Sequence, residues 1–221
     1  MTSIMVPKAA LFDLDGTLVA TEHRSRSAWT RLFLAHGLPV DDELLATFVG
    51  RRGRDTLAEH LHRFPGGTVD ELFAEVIGYQ TGPDSPPPYA VPGASALVKS
   101  LHAEGVPMAV VTSGPRDHAG ELLDLVGGAT MFVALIAAED VSRGKPDPEG
   151  FTAGCAALGV APADAIAFED APAGIAAARA TGLRCVAVTT THPAAALADA
   201  DLVISDLTEL NWSTPAREIA P

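Results

Sequence analysis

Apolar and polar positions alternate along this 221-residue chain in two textures. The first is a set of short apolar runs closed by turn residues: Ala9 to Phe12, Val106 to Thr112, Met131 to Ala137, Ala165 to Phe168, Arg184 to Val188 and Leu202 to Ile204. Such runs read as buried strands. Helix-period stretches at 94–104, 116–126, 148–158 and 172–181 lie between them, the last two stopped by Gly159 and Gly182. Strands alternating with helices predict an α/β fold with a parallel sheet covered on both faces.

The second texture, from Thr21 to about Tyr79, has almost no strand signal. Ala28, Trp29, Leu32 and Phe33 recur at helical spacing and stop at His36-Gly37. Asp41-Asp42-Glu43 opens a helix that carries Leu44, Leu45 and Phe48. Gly50-Arg51-Arg52-Gly53-Arg54-Asp55 reads as a basic loop, followed by helices over 56–64 and 68–79. The stiff, helix-breaking run from Gly82 to Pro88 is the strongest boundary in the chain. Length and texture together fit one domain with an insertion.

Composition narrows the function classes. Hydrophobic residues make up 48% and charged residues 19% of the chain, enough for a sizeable core. A formal net charge of -13 repels nucleic acid and anionic membranes, so neither is expected as a partner. No apolar stretch is long enough to span a bilayer, and Met1 to Lys8 lacks the apolar region of a signal peptide. Cys155 and Cys185 form no ligand spacing or disulfide framework and read as buried thiols. A cytoplasmic protein is expected, monomeric or weakly dimeric. The tail beyond Trp212 is polar, contains proline and reads as peripheral.

In parallel α/β sheets ligands bind beyond the carboxyl ends of the strands, so the residues just after each apolar run carry the chemistry. Asp13 and Asp15 follow the first run, two apart, where strand periodicity turns both carboxylates to one side. Like charges that close need a cation or a shared proton. Read alone, the stretch is also what a buried strand with an Asp-Gly turn looks like. Thr112-Ser113-Gly114 follows the second run, and Glu169-Asp170 another. Lys145, one of three lysines, sits in Gly144-Lys145-Pro146. Several carboxylates make the hard oxygen site that Mg²⁺ prefers. A hydroxyl beside backbone N–H groups, with a fixed ammonium, suits a phosphate.

These four groups, in this order, resemble the signature motifs of the haloacid dehalogenase-like superfamily: Asp13-Leu14-Asp15-Gly16-Thr17, Thr112-Ser113, Lys145-Pro146 and Glu169-Asp170. The resemblance covers roughly residues 8–207 and is closest to the phosphatase branch. It implies a Rossmann-like core sheet over residues 1–17 and 92–221, with a small inserted helical cap over 18–91. It implies Asp13 as nucleophile and Asp15 as general acid and base, giving an aspartyl-phosphate intermediate. It further implies Mg²⁺ held by Asp13, Asp15 through its carbonyl, Asp170 and Glu169. Thr112, Ser113, Gly114 and Lys145 would hold the phosphoryl group.

Asp15 separates this chain from the family's dehalogenases, which use no acid there. The absence of lysine from residues 18–91 separates it from phosphonoacetaldehyde hydrolases. β-Phosphoglucomutase-like enzymes share cap and core but carry a cap histidine and lysine. The histidine position falls on Ser25 here, and the lysine has no counterpart. Hydrolysis of a sugar or polyol phosphate monoester is therefore expected, ahead of phosphosugar isomerisation or a catalytically silent binding protein. Gly50 to Asp55 resembles a Gly-x-Arg-x-x-Asp cap loop of sugar and polyol phosphatases, which implies that Arg52 and Asp55 face the leaving group. The small phosphorylated metabolite itself is not named by these motifs.

Overall fold

The computed structural model describes residues 2–5 and 7–213; the tail from residue 214 onward lies outside them. Strand β1 (Thr2–Met5) precedes β2 (Ala9–Phe12), whose four residues are all buried. After β3 (Val19–Ala20) come four helices, α1 (Glu22–Ala35), α2 (Asp42–Ala46), α3 (Gly53–His60) and α4 (Val69–Thr81). The chain returns through β4 (Tyr89–Ala90). It then alternates: α5 (Ala94–Ala103), β5 (Met108–Val111), α6 (Arg116–Leu123), β6 (Ala134–Ile136), α7 (Glu149–Leu158), β7 (Ala165–Glu169), α8 (Pro172–Thr181) and β8 (Arg184–Val188). Strands β9 (Leu202–Ile204) and β10 (Leu210–Ser213) complete it.

Six strands form one parallel sheet in the order β6-β5-β2-β7-β8-β9. Side chains on β2 alternate between its two faces, as strand geometry requires. Ala10 and Phe12 pack with Leu97, Leu101 and Leu122 of α5 and α6. Ala9 and Leu11 pack with Phe151, Cys155 and Ile175 of α7 and α8. Phe12 stacks on Phe168 of the neighbouring β7 at 4.6 Å between ring centres. Because β2 is central, its carboxyl end opens where β5 and β7 also end, and the functional turns converge there.

Helices α1 to α4 enclose a separate apolar cluster that includes Trp29, Leu32, Phe33, Phe48, Leu57 and Leu72. Asp41 caps α2 by accepting from the Leu44 N–H at 2.8 Å. Thr68 and Glu71 form a reciprocal capping box on α4. The two chain crossings between this bundle and the sheet are tied by β3 pairing antiparallel with β4.

The structure corrects several sequence expectations. Helix α3 starts at Gly53, inside the run read as a loop, and ends at His60, where a 3-10 turn over Leu61–Arg63 carries the helical stretch to the expected end. Gly53 fits there because a Cβ would stand 3.0 Å from Trp29 and 3.1 Å from Phe73, closer than ordinary van der Waals contact. The strand expected over 131–137 is only Ala134–Ile136, preceded by a 3-10 turn at Ala129–Met131. The pairing of β1 with β10 was not anticipated, since it joins residues at opposite ends of the chain. Cys155 and Cys185 are free and buried, as expected. Among the described residues no helix is long and apolar enough to cross a membrane.

Candidate active site

Asp13 follows β2 directly. Its N–H donates to the Phe168 carbonyl at 2.9 Å, continuing the β2–β7 ladder into the site. Lys145 is buried and donates 2.6 Å bonds to Asp13 Oδ1 and Glu169 Oε1, and a 3.0 Å bond to the Val111 carbonyl. One ammonium thus has three acceptors from three strand ends. Burial alone would lower its pKa; the Asp13 and Glu169 carboxylates outweigh that and hold it raised.

One lysine does not balance the acids around it. Asp13, Glu169 and Asp170 each offer a carboxylate oxygen, and these oxygens lie within 4.8 Å of one another. Burial, opposed by Lys145 and reinforced by Glu169, pushes Asp13 up to about 7. Burial and the same acidic neighbours also raise Asp170. Asp13 Oδ2 is buried with no hydrogen-bond partner. An orphaned oxygen among three buried carboxylates matches a hard divalent cation such as Mg²⁺, which supplies charge and oxygen coordination together.

The Asp170 carboxylate is fixed by Thr17, at 3.3 Å, and by the Thr191 hydroxyl. Two glycines make room for these acids. Gly16 has φ of +89°, and a Cβ there would fall 2.1 Å from Asp170 Oδ2. A Cβ on Gly174 would fall 2.0 Å from Glu169. Both glycines are thus spatial requirements of the acid cluster.

Asp15 stands apart from Lys145. Its Oδ1 accepts from the Thr21 hydroxyl at 2.7 Å and lies 3.6 Å from His118 Nε2; its Oδ2 lies 3.4 Å from the Thr112 hydroxyl. Burial would raise this carboxyl, but His118, Thr21 and Thr112 prevail and hold it below its usual range. Two carboxyls two residues apart are therefore driven in opposite directions by their surroundings, Asp13 by burial among acids and Asp15 by its imidazole and hydroxyl partners. Asp15 in return raises the His118 imidazole.

Above these groups lies a cavity that opens to solvent. Asp13, Asp15, Thr112, Ser113 and Gly114 line its floor. The Gly114 N–H donates to Thr112 Oγ1 at 2.9 Å, which fixes the turn. The helical bundle provides the opposite wall: Glu22, Arg24, Ser25, Arg51 and Gln80 are its polar part, and Trp29, Phe48, Phe73 and Ile77 its apolar part. Burial pushes Glu22 up to about 7, against the effect of Arg26.

Asp13, Asp15, Lys145, Glu169, Asp170 and the Thr112–Gly114 turn are thus brought together. Arg52 and Asp55 are not among the residues lining this cavity; Arg52 lines a smaller pocket beside it, together with Thr112, Ser113 and Lys145. The Arg52 guanidinium donates to the carbonyls of Ala138 and Val141, the latter at 2.8 Å, and reaches Ser142 O at 3.5 Å. It ties the bundle to the loop that leads into Lys145. Asp55 Oδ2 lies 3.9 Å from Arg52 Nη1 and is half exposed. Arg52→Ala is accordingly expected to raise KM by similar factors for a sugar phosphate and a small aryl phosphate. A rise confined to the sugar phosphate, in parallel steady-state assays, would return Arg52 to reading the leaving group.

Sequence reasoning missed Glu22 and His118. Both stand on the first turn of a helix that starts just after a strand, and that position was the available signal.

A family model for haloacid dehalogenase-like hydrolases matches residues 7–182. The chain is 53% identical over 205 residues to validoxylamine A 7'-phosphate phosphatase of Streptomyces hygroscopicus subsp. limoneus, covering 93% of this chain and 96% of that protein. It is 33% identical over 205 residues to hexitol phosphatase A of Escherichia coli (strain K12), covering 92% and 93%. The crystal structure of CbbY from Rhodobacter sphaeroides in complex with phosphate matches with a TM-score of 0.79 and 26% identity, over 93% of this chain and 97% of that one. With the strand-end geometry described above, these likenesses establish that the chain belongs to the haloacid dehalogenase-like hydrolase family.

Proposed function

We propose that the protein is a Mg²⁺-dependent phosphatase that hydrolyses a small sugar or polyol phosphate monoester through an aspartyl phosphate on Asp13. The observation that carries this reading is the Asp13 carboxylate on the cavity floor, with Oδ1 held by Lys145 and Oδ2 without a partner. Asp13 attacks phosphorus and the ester bond breaks, its electron pair staying on the leaving oxygen. Asp15 gives that oxygen a proton. Asp15 then takes a proton from water, which attacks the phosphorus and frees Asp13. Splitting one displacement into two is what a carboxylate nucleophile offers. A placed acid and base contributes about 10²–10⁴-fold.

Lys145, Thr112, Ser113 and the Gly114 N–H are the groups positioned to hold phosphoryl oxygens. Asp13, Asp170, Glu169 and the Asp15 main-chain carbonyl would hold Mg²⁺, which neutralises phosphoryl charge. In this reading residues 1–17 and 92–221 carry the chemistry, and 18–91 cap it. The β3–β4 crossing supports that division. The polar wall of Glu22, Arg24, Ser25, Arg51 and Gln80 suits a hydroxyl-rich alcohol, as do the names of the phosphatases the chain resembles. Ser25 lines the cavity at the position where the resembling mutases carry histidine, which favours hydrolysis over isomerisation. We place the enzyme in the cytoplasm, as a monomer or weak dimer acting on a phosphorylated metabolite.

Turnover is expected on a panel of sugar and polyol phosphates with Mg²⁺. It should fall at least about 100-fold in EDTA and return when Mg²⁺ is restored. No turnover on the panel, or turnover indifferent to chelation, overturns the reading.

A further inference from the structure

His118 belongs to the first turn of α6, just beyond the Thr112–Gly114 turn. Its ring is only 17% exposed and lines the cavity. Nε2 lies 3.6 Å from Asp15 Oδ1, the oxygen that also accepts from Thr21 at 2.7 Å. The other oxygen, Oδ2, has the Thr112 hydroxyl at 3.4 Å, longer than an ordinary O–H···O bond of about 2.5–3.0 Å. The carboxyl is therefore anchored through Oδ1 by the Thr21 hydroxyl, with His118 at ion-pair distance from the same oxygen, and is loosely held at Oδ2. Gly114 packs beside both: a Cβ there would stand 3.5 Å from Asp15 Oδ2 and 3.7 Å from His118 Cδ2, ordinary contact distances. The charged groups that face the ring besides Asp15 are Arg24 of α1 and Glu121 on its own helix.

We infer that His118 is a positioning residue for leaving-group protonation: with Thr21 it pins Asp15 Oδ1, so that Oδ2 delivers the proton. This rests on the reading of Asp15 as acid and base. In the step, the Oδ2–H bond breaks and the proton goes to the ester oxygen. That oxygen keeps the electron pair of its broken bond to phosphorus, while the Asp13–phosphorus bond forms. The proton on His118 Nε2 stays on the ring throughout. A displacement of about 1 Å at the proton-donating atom costs about 100-fold when a proton must be placed.

The need for that proton depends on the leaving group. A sugar or polyol alkoxide is a poor leaving group and requires it; p-nitrophenolate leaves without it. The value of kcat/KM reports steps up to departure of the leaving group, so hydrolysis of the Asp13 phosphate, shared by all substrates, drops out. The test compares His118→Phe and His118→Gln with the wild type on p-nitrophenyl phosphate and on the best alkyl phosphate of the panel.

His118→Phe keeps the ring and removes the N–H. It is expected to lower kcat/KM about 30- to 100-fold on the alkyl phosphate and less than about threefold on p-nitrophenyl phosphate. His118→Gln retains an N–H donor and should recover much of the alkyl phosphate activity. Equal losses on both substrates, or a glutamine variant as impaired as the phenylalanine one, overturn the inference and leave the phosphatase reading intact. A wild-type protein that turns over neither substrate overturns both.

Discussion

Asp13→Asn is expected to lower kcat by ~10⁴-fold or more while the chain still folds and unfolds cooperatively. The amide has the shape of the carboxylate but no charge to attack phosphorus. No second carboxylate is placed to replace it: Asp15 is drawn toward Thr21 and His118, and Asp170 toward Thr17 and Thr191. The fold should survive because β2 ends at Phe12, and the ladder bond from residue 13 comes from its main-chain N–H. Lys145 keeps Glu169 and the Val111 carbonyl, and the asparagine oxygen remains an acceptor. The substitution also removes one of three crowded carboxylates, so the metal-free variant should resist urea at least as well as the wild type. Steady-state turnover together with urea unfolding checks both halves. Activity within tenfold of wild type, from a protein shown free of contaminating enzyme, would remove Asp13 from the chemistry.

The residues of this site differ in how legible they are from sequence, and the reason is distance along the chain. Asp13 and Asp15 follow an apolar run, and Glu169 and Asp170 end or follow another. A strand fixes where its last residues point, so the ends of β2, β5 and β7 in one parallel sheet converge by topology alone. The core helices are legible for a similar reason, since their apolar period and glycine stops are local. Arg52 is the opposite case. Arg51, Arg52 and Arg54 look alike in sequence, yet they go to Glu59, to the carbonyls of residues 138–142 and to Asp70. The partners of Arg52 are 86 to 90 residues away, and no spacing rule reaches them. Strands β3 and β4, two residues each, are too short for any period. His118 is hidden for another reason. A histidine in the first turn of a helix has local explanations enough, and this one meets Asp15 from 103 residues along the chain.

Lys145→Met is expected to cost about 3–5 kcal/mol of stability in metal-free protein near pH 9. The thioether fills the space of the lysine stem. It leaves Asp13, Glu169 and Asp170 buried with no ammonium among them. The pH dependence identifies the cause. Asp13 already stands at about 7 against an ordinary 3.8, driven by burial with Lys145 holding it down, so the variant should push it higher. A carboxyl whose folded pKa is raised holds its proton in the folded state after the unfolded chain has lost it. Its stability contribution is then present below the unfolded pKa and lost as pH rises through the folded one. The lysine itself has a raised pKa, so its contribution is complete below its ordinary 10.5 and does not shape this window. The stability deficit should therefore be small near pH 5, open above about pH 7 and be large by about pH 9, in urea titrations with EDTA at pH 5 and pH 9. Turnover should fall about 10³-fold, since the fixed charge among the phosphoryl-holding groups is gone. A deficit equal at both pH values would make lost packing the cause. One that grew toward low pH would mean that Lys145 is not what holds these carboxylates together, and the charge balance assigned to the site would have to be redrawn.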